Sequence, residues 1–342
     1  MIKQYLNKTL YQLRLAFMTA MLAVFALPAW SAPIYSDMYI FGDSLSDTGN
    51  TRAKVFLGSN STVAALAGYG SNGRFSNGDV WHEFLADDLG LSTTRSTAGG
   101  NNYAHGGARV NNSSGQSAGL LWQWNDYQND YGGPVMDPAA LYVVWAGGND
   151  MRDLVGSSAP LMMITSILGN FQNMLTEMIL GGASSLLVPN LPDLGSIPEF
   201  ASTSNSVSGN EVSTLWNQAL ETILVGLANT YQVDIFMLDV FGIFNNIIAD
   251  PASAGFSNTT DECRSLTTNW LGVPNGESSC ANAHSYVFWD EIHPTSAAHA
   301  VLGQEAYQLL ASGQTVNFQV PAPATMLLLL SGLVLIRLRR VA

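Results

Sequence analysis

The chain has 342 residues, 26 of them acidic and 13 basic, for a net charge of −13. Only seven of the basic residues (Arg52, Lys54, Arg74, Arg95, Arg109, Arg152 and Arg264) fall in the body, residues 33–318, where every acidic residue lies, so the body carries about −19. That balance argues against nucleic-acid binding, which needs a basic face for the phosphates.

In chain order, residues 1–14 carry Lys3, Lys8 and Arg14 without an acid, Leu15 to Leu27 is almost wholly apolar, and Pro28-Ala29-Trp30-Ser31-Ala32 follows. This layout predicts a secretory signal peptide over 1–32, cleaved after Ser31 or Ala32. The apolar run is shorter than the roughly 20 residues a membrane anchor needs. The body is then exported, to the periplasm, the cell surface or the medium. Its length suits a single α/β domain.

Within the body, Met38 to Phe41, Asn101 to Ala104 (a weaker candidate), Leu141 to Ala146, Ser185 to Val188 and Val233 to Leu238 read as strands. Val80 to Leu89, Ala159 to Leu180, Glu211 to Tyr231 and Thr295 to Leu310 show apolar residues at helical spacing. Strands that are continuously apolar and separated by helices imply a parallel sheet covered on both faces. The expected fold is a three-layer α/β/α sandwich around a mainly parallel five-stranded sheet. The polar, glycine-rich stretches Ser59 to Phe75, Asn111 to Gln116, Ala201 to Asn210 and Phe256 to Ala283 read as loops.

The chemistry sits where these strands end. Gly42-Asp43-Ser44-Leu45 follows the first strand, and Ser44 stands where the chain turns toward a helix. Its sequence departs from the Gly-x-Ser-x-Gly elbow, because Ser46 occupies the last glycine position, which argues against the α/β-hydrolase fold. Far downstream, Asp290 and His293 are spaced i, i+3 and are followed by Pro294. The carboxylate can take the Nδ1 proton of the imidazole and leave Nε2 to accept a proton from Ser44. An acyl-transfer serine also needs donors aimed at the developing oxyanion. Gly106-Gly107 and the Asn149 amide of Gly147-Gly148-Asn149-Asp150, each after a strand, are the candidates. His299, His82 and His284 lack ligand-type partners at metal-binding spacings, so neither metal nor cofactor is expected.

Four blocks thus appear in order: Gly42-Asp43-Ser44-Leu45, Gly106-Gly107, Gly147-Gly148-Asn149-Asp150 and Asp290-x-x-His293-Pro294. The body resembles the GDSL, or SGNH, hydrolases nearly end to end, with a flavodoxin-like fold. Phe41 to Asn50 and Val188-Pro189-Asn190-Leu191-Pro192 look like the secreted lipase/esterase branch. The resemblance implies Ser44 as nucleophile, His293 as base and Asp290 as its orienting acid. It makes the Ser44 N–H, the Gly107 N–H and the Asn149 side chain the oxyanion hole. His105 stands where that branch often has a small or apolar residue. The implied activity is hydrolysis of carboxylic esters through an acyl-serine. The alternatives are polysaccharide O-deacetylation, acyl transfer to another acceptor, and an inactive surface adhesion module.

Cys263 and Cys280 are compatible with one disulfide, contributing about 3 kcal/mol in the chain-entropy model, or with two thiols. At the other end, Pro321-Ala322-Pro323, an apolar run from Met326 to Ile336 and Arg337, Arg339 and Arg340 make up a segment at 319–342. It resembles the PEP-CTERM sorting tail, with alanine in place of glutamate, and a plain tail anchor is the other reading. The expected partners are therefore an acyl ester substrate, the export machinery, exosortase, and the membrane through this tail.

Overall fold

The computed structural model describes residues 34–54, 70, 72–111, 118–270 and 274–317. The segments expected to be a signal peptide, 1–32, and a sorting tail, 319–342, lie outside them. Among the described residues no helix is long and apolar enough to cross a membrane.

The chain enters through β1 (Met38–Gly42), the short helix α1 (Asn50–Lys54), α2 (Trp81–Leu89) and α3 (Leu120–Tyr131). It continues through β2 (Leu141–Trp145), α4 (Gly148–Leu154), α5 (Pro160–Leu180), β3 (Ser185–Leu187), α6 (Pro198–Ala201), α7 (Ser206–Tyr231), β4 (Asp234–Phe236) and α8 (Val240–Ala249). The last part holds β5 (Asn258–Glu262), β6 (Arg264–Thr268), β7 (Pro274–Ser279), β8 (Tyr286–Phe288) and α9 (Ser296–Ser312).

β1, β2, β3 and β4 form a parallel sheet in that order, with Gly42 opposite Trp145, Val143 opposite Leu187 and Leu187 opposite Phe236. The fifth position is filled by the weak candidate, Asn101 to Ala104, which with His105 runs along the other edge of β1. It pairs through Ile40 N–H to Asn101 O (3.0 Å), Tyr103 N–H to Ile40 O (2.7 Å) and His105 N–H to Gly42 O (3.1 Å). The direction of strand addition therefore reverses at β1, and the carboxyl end of β1 is where such sheets open a crevice. A Cβ at Gly42 would lie 2.6 Å from the Trp145 carbonyl oxygen, so only glycine lets β1 and β2 close here.

The helices bury apolar stripes on the sheet. Phe171 of α5 meets Trp216 of α7 edge to face at 6.2 Å, and Trp81 of α2 meets Trp145 of β2 at 5.4 Å. α3 covers β1 with aromatic rings: Phe41 stacks on Tyr103 (5.4 Å) and meets Trp124 and Tyr127 edge-on. Such pairs add about 0.5–1.5 kcal/mol each beyond the area they bury.

Two stretches expected as loops are ordered elements. α7 begins at Ser206, inside Ala201 to Asn210. Its first turn has no apolar stripe, and it docks because Gly209 lies against the backbone of Gly195 while the Ser206 hydroxyl donates to the Gly195 carbonyl (2.8 Å). Phe256 to Ala283 contains β5, paired in parallel with β8, and the β6–β7 hairpin. β5, β6 and β7 are rich in polar residues, so hydrophobic alternation does not reveal them; backbone pairing and the Cys263–Cys280 disulfide tie them.

Candidate active site

Three chain segments meet at the carboxyl end of β1. Ser44 lies two residues beyond the strand, and its Oγ is 2.8 Å from His293 Nε2. His293 Nδ1 lies 2.9 Å from both oxygens of Asp290. Ser44 and His293 are buried, at 8% and 5% exposure, which keeps the proton path out of bulk water.

The histidine loop is built by local hydrogen bonding. Trp289 N–H donates to the His293 carbonyl (2.7 Å) and closes the turn. Asp290 Oδ1 accepts from the N–H groups of Ile292 (3.0 Å) and His293 (2.8 Å), so its carboxylate is fixed by the same turn that presents the imidazole. Burial pushes the Asp290 carboxyl up, but the adjacent His293 and these hydrogen bonds outweigh it and hold the group below the usual carboxylate range. Asp290 thus stays ionised and can hold the Nδ1 proton. The Phe75 ring lies 5.2 Å from the imidazole and walls it off. Gly106 makes room for that ring, since a Cβ there would overlap it.

The nucleophile loop is held by Asp47, which accepts from the N–H groups of Gly49 (2.7 Å), Asn50 (2.7 Å), Thr51 (3.1 Å) and Gly106 (2.9 Å). Asn102 and Asn50 lace the same loop to the edge segment. Asn102 Nδ2 donates to Ser46 O (2.8 Å), and Asn50 Nδ2 donates to Asn102 O (2.8 Å) and Ala104 O (3.0 Å). Asp47 falls within Phe41 to Asn50, three residues beyond Ser44, and its spacing assigns it no role; only the fold shows what its carboxylate receives.

Gly107 and Asn149 line the same cavity as Ser44 and His293, a space of about 490 Å³. Gly107 has φ of +74°, a left-handed conformation suited to glycine. The Gly106 N–H is taken up by Asp47 and by Thr51 Oγ1 (2.8 Å). Asn149 Nδ2 donates to Ala108 O (3.0 Å), and its Oδ1 accepts from Arg152 Nη1 (3.4 Å). Arg152 in turn grips Glu199 through Nε (2.7 Å) and Nη2 (2.8 Å). Burial pushes the Asp43 carboxyl, next to Ser44, up to about 6. His105, buried against Trp122 at 5.7 Å, is pushed down to about 3 by burial and by Lys54, and stays neutral.

All five candidate positions, Ser44, Gly107, Asn149, Asp290 and His293, therefore share one crevice. The arrangement offers a hydroxyl, a base, a partly buried carboxylate and amide donors, the set that acyl transfer needs.

The model of the GDSL-like lipase/acylhydrolase family matches residues 38–306. A GDSL esterase/lipase of Arabidopsis thaliana is 29% identical, over 81% of this chain and 87% of its own length. The phosphatidylcholine-sterol acyltransferase of Aeromonas hydrophila is 28% identical, over 82% of this chain and 92% of its own. A solved acetylxylan esterase of Geobacillus stearothermophilus aligns with 85% of this chain and 100% of its own at 14% identity, with a TM-score of 0.43, too loose an overlap to bear on function. With the family model spanning the crevice and nearly the whole sheet around it, the chain belongs to the GDSL-like lipase/acylhydrolase family, and its enzymatic class is carboxylic ester hydrolysis.

Proposed function

We propose that this protein is an exported serine esterase in which Ser44 forms an acyl intermediate. His293 Nε2 takes the Ser44 proton as Oγ attacks the ester carbonyl. Asp290 holds the Nδ1 tautomer and stabilises the imidazolium. The negative charge on the tetrahedral oxygen falls to the Ser44 N–H, the Gly107 N–H and the Asn149 amide, since the Gly106 N–H is engaged by Asp47. Collapse expels the alcohol, protonated by His293, and leaves acyl-Ser44. A water activated by His293 then releases the acid and regenerates the hydroxyl.

The observation that carries this reading is the 2.8 Å contact between Ser44 Oγ and His293 Nε2, with Asp290 at 2.9 Å behind it. Exposure to a fluorophosphonate followed by peptide mass spectrometry should place one adduct on Ser44. Ser44→Ala should lose both labelling and turnover while melting at the wild-type temperature; a labelled Ser44→Ala protein would mean another nucleophile. Acyl transfer to an alcohol acceptor is the second reading, suggested by the name of the Aeromonas relative. It uses the same acyl-Ser44, and product analysis with added acceptor separates the two.

Export through the 1–32 signal, with tethering or sorting by exosortase through the 319–342 tail, completes the proposal. Fractionation of cells expressing the full chain, with and without residues 319–342, tests both. Soluble cytoplasmic enzyme of full length would reject export.

A further inference from the structure

Two of the proposed oxyanion donors sit on different pieces of chain, the Gly107 N–H in the loop after Asn101 to Ala104 and the Asn149 amide at the start of α4. Their separation is set by what fastens that loop to the helix. Asn149 Nδ2 donates to the Ala108 carbonyl (3.0 Å), and the Val110 N–H donates to Asp150 Oδ2 (3.1 Å). Between them stands Arg109, whose Nη1 donates to the carbonyl of Gly107 itself (3.3 Å). The guanidinium is aimed by Asp153 of α4, with Nε on Oδ2 (2.5 Å) and Nη2 on Oδ1 (2.8 Å).

We infer that Arg109 and Asp153 are positioning residues of the oxyanion hole. Through the Gly107 carbonyl they hold the Gly107 amide beside Asn149, so that both donors can meet one oxygen. This rests on the acyl-Ser44 reading above. Gly107 needs such a hold: it has φ of +74°, follows another glycine, and has no Cβ to restrict its backbone. Asp47 fixes the near side of the pair by accepting the Gly106 N–H (2.9 Å), and Arg109 fixes the far side at the Gly107 carbonyl. The peptide that carries the proposed donor lies between these two anchors. Stability alone is a poor reason for the ion pair. The Arg109 and Asp153 side chains are 30% and 53% exposed, and a pair so open to water is screened and contributes little to folding. The planar guanidinium suits the positioning role, because it can grip a carboxylate along one edge and still present Nη1 to a carbonyl.

The test compares Arg109→Gln, Asp153→Asn and the double variant with the wild type, as the full chain in detergent, on p-nitrophenyl acetate. A donor moved out of place weakens the transition state and not the ground state, so Arg109→Gln should lower kcat about 10-fold with KM within about 2-fold. Phenylboronic acid gives a second readout. Its boron takes Ser44 Oγ, the hydroxyl proton passes to His293, and the tetrahedral anion sets an oxygen in the hole. Its affinity should fall by the same factor as kcat. Asp153→Asn should lower both about 3-fold, and the double variant should be no slower than Arg109→Gln, since Asp153 acts through Arg109. Asp153→Asn is the milder change and keeps the test alive if Arg109→Gln does not fold, which circular dichroism checks. Unchanged kcat and boronate affinity in the folded variants, whatever their melting temperatures, would overturn the inference, as would a rise in KM alone. Effects that multiply in the double variant would overturn the role of Asp153. A wild type that neither cleaves the ester nor binds the boronate, with Ser44 unlabelled by fluorophosphonate, would remove the acyl-serine reading itself and this inference with it.

Discussion

Gly106 donates its N–H to the Asp47 carboxylate across 2.9 Å, joining the loop that carries the nucleophile to the loop that faces it. The same carboxylate takes the N–H groups of Gly49, Asn50 and Thr51, so one buried side chain sets the spacing of Ser44 and Gly107. The bond also divides the labour between adjacent glycines: Gly106 serves the scaffold, and Gly107, which lines the cavity beside Ser44, is the proposed oxyanion donor.

Asp47→Asn should therefore cost both stability and rate. An amide can replace one oxygen as acceptor but presents N–H to the two donors that now meet Oδ2, Thr51 and Gly106. Leaving buried donors facing a donor costs about 2–4 kcal/mol, read as a lower midpoint in urea. Because the two loops would drift apart, kcat should drop about 10–100-fold with KM little changed. A variant as stable and fast as the wild type would show that the loops are held by the other bonds of the network.

Asn149→Ala should lower kcat by about 10²–10³, the usual cost of one oxyanion donor, with the acyl-enzyme still formed slowly at Ser44. Single-turnover kinetics with a p-nitrophenyl ester check it. An unchanged acylation rate would take the Asn149 amide out of the oxyanion site and leave it as a tether to Ala108 O.

Arg152 and Glu199 act on the reaction through Asn149. The guanidinium is fixed by two bonds to Glu199 and reaches Asn149 Oδ1 at 3.4 Å, which turns Nδ2 toward Ala108 and the cavity. Glu199→Gln removes the bidentate grip, and kcat should fall about 10-fold while KM for a small ester stays within about 2-fold. Arg152→Lys should not rescue, because an ammonium cannot hold a carboxylate and an amide in one plane. A rise in KM alone would assign the pair to substrate binding instead.

How far the sequence reaches is decided by how local each signal is. Asp290 and His293 were legible because their i, i+3 spacing implies the hydrogen bond they make, and Ser44 because it stands at the turn after an apolar strand, although its partner lies 249 residues away. Gly107 over Gly106 was legible only through family resemblance, since the physical reason is the distant acceptor Asp47. The Arg152–Glu199 clasp left no trace, because an arginine and a glutamate 47 residues apart form no pattern until α4 and α6 are placed. Helix α3 was missed because its buried Leu120, Trp124 and Tyr127 stand among many polar residues, and the hairpin β6–β7 because Leu266 is the one large apolar residue in its two strands.

His299 contributes to the acid sensitivity of the fold, beside the buried His82 and His105, whose imidazoles burial also pushes down. It is wholly buried in α9, with neither ring nitrogen paired among the described residues, and burial, with His293 and His82 nearby, pushes it down to about 3. An unfolded histidine titrates near 6.5, so between pH 6.5 and 3 the unfolded chain binds a proton that the folded chain refuses. Stability from this group is complete above about pH 6.5 and is lost as pH falls, by about 1.4 kcal/mol per pH unit once below that value. His299→Leu removes the mismatch and an unpaired polar side chain, so it should melt at or above the wild-type temperature at pH 7. Its advantage should grow by about 2–3 kcal/mol between pH 6.5 and 4.5. Parallel stability-versus-pH curves for the two proteins would show instead that His299 takes its proton inside the folded state.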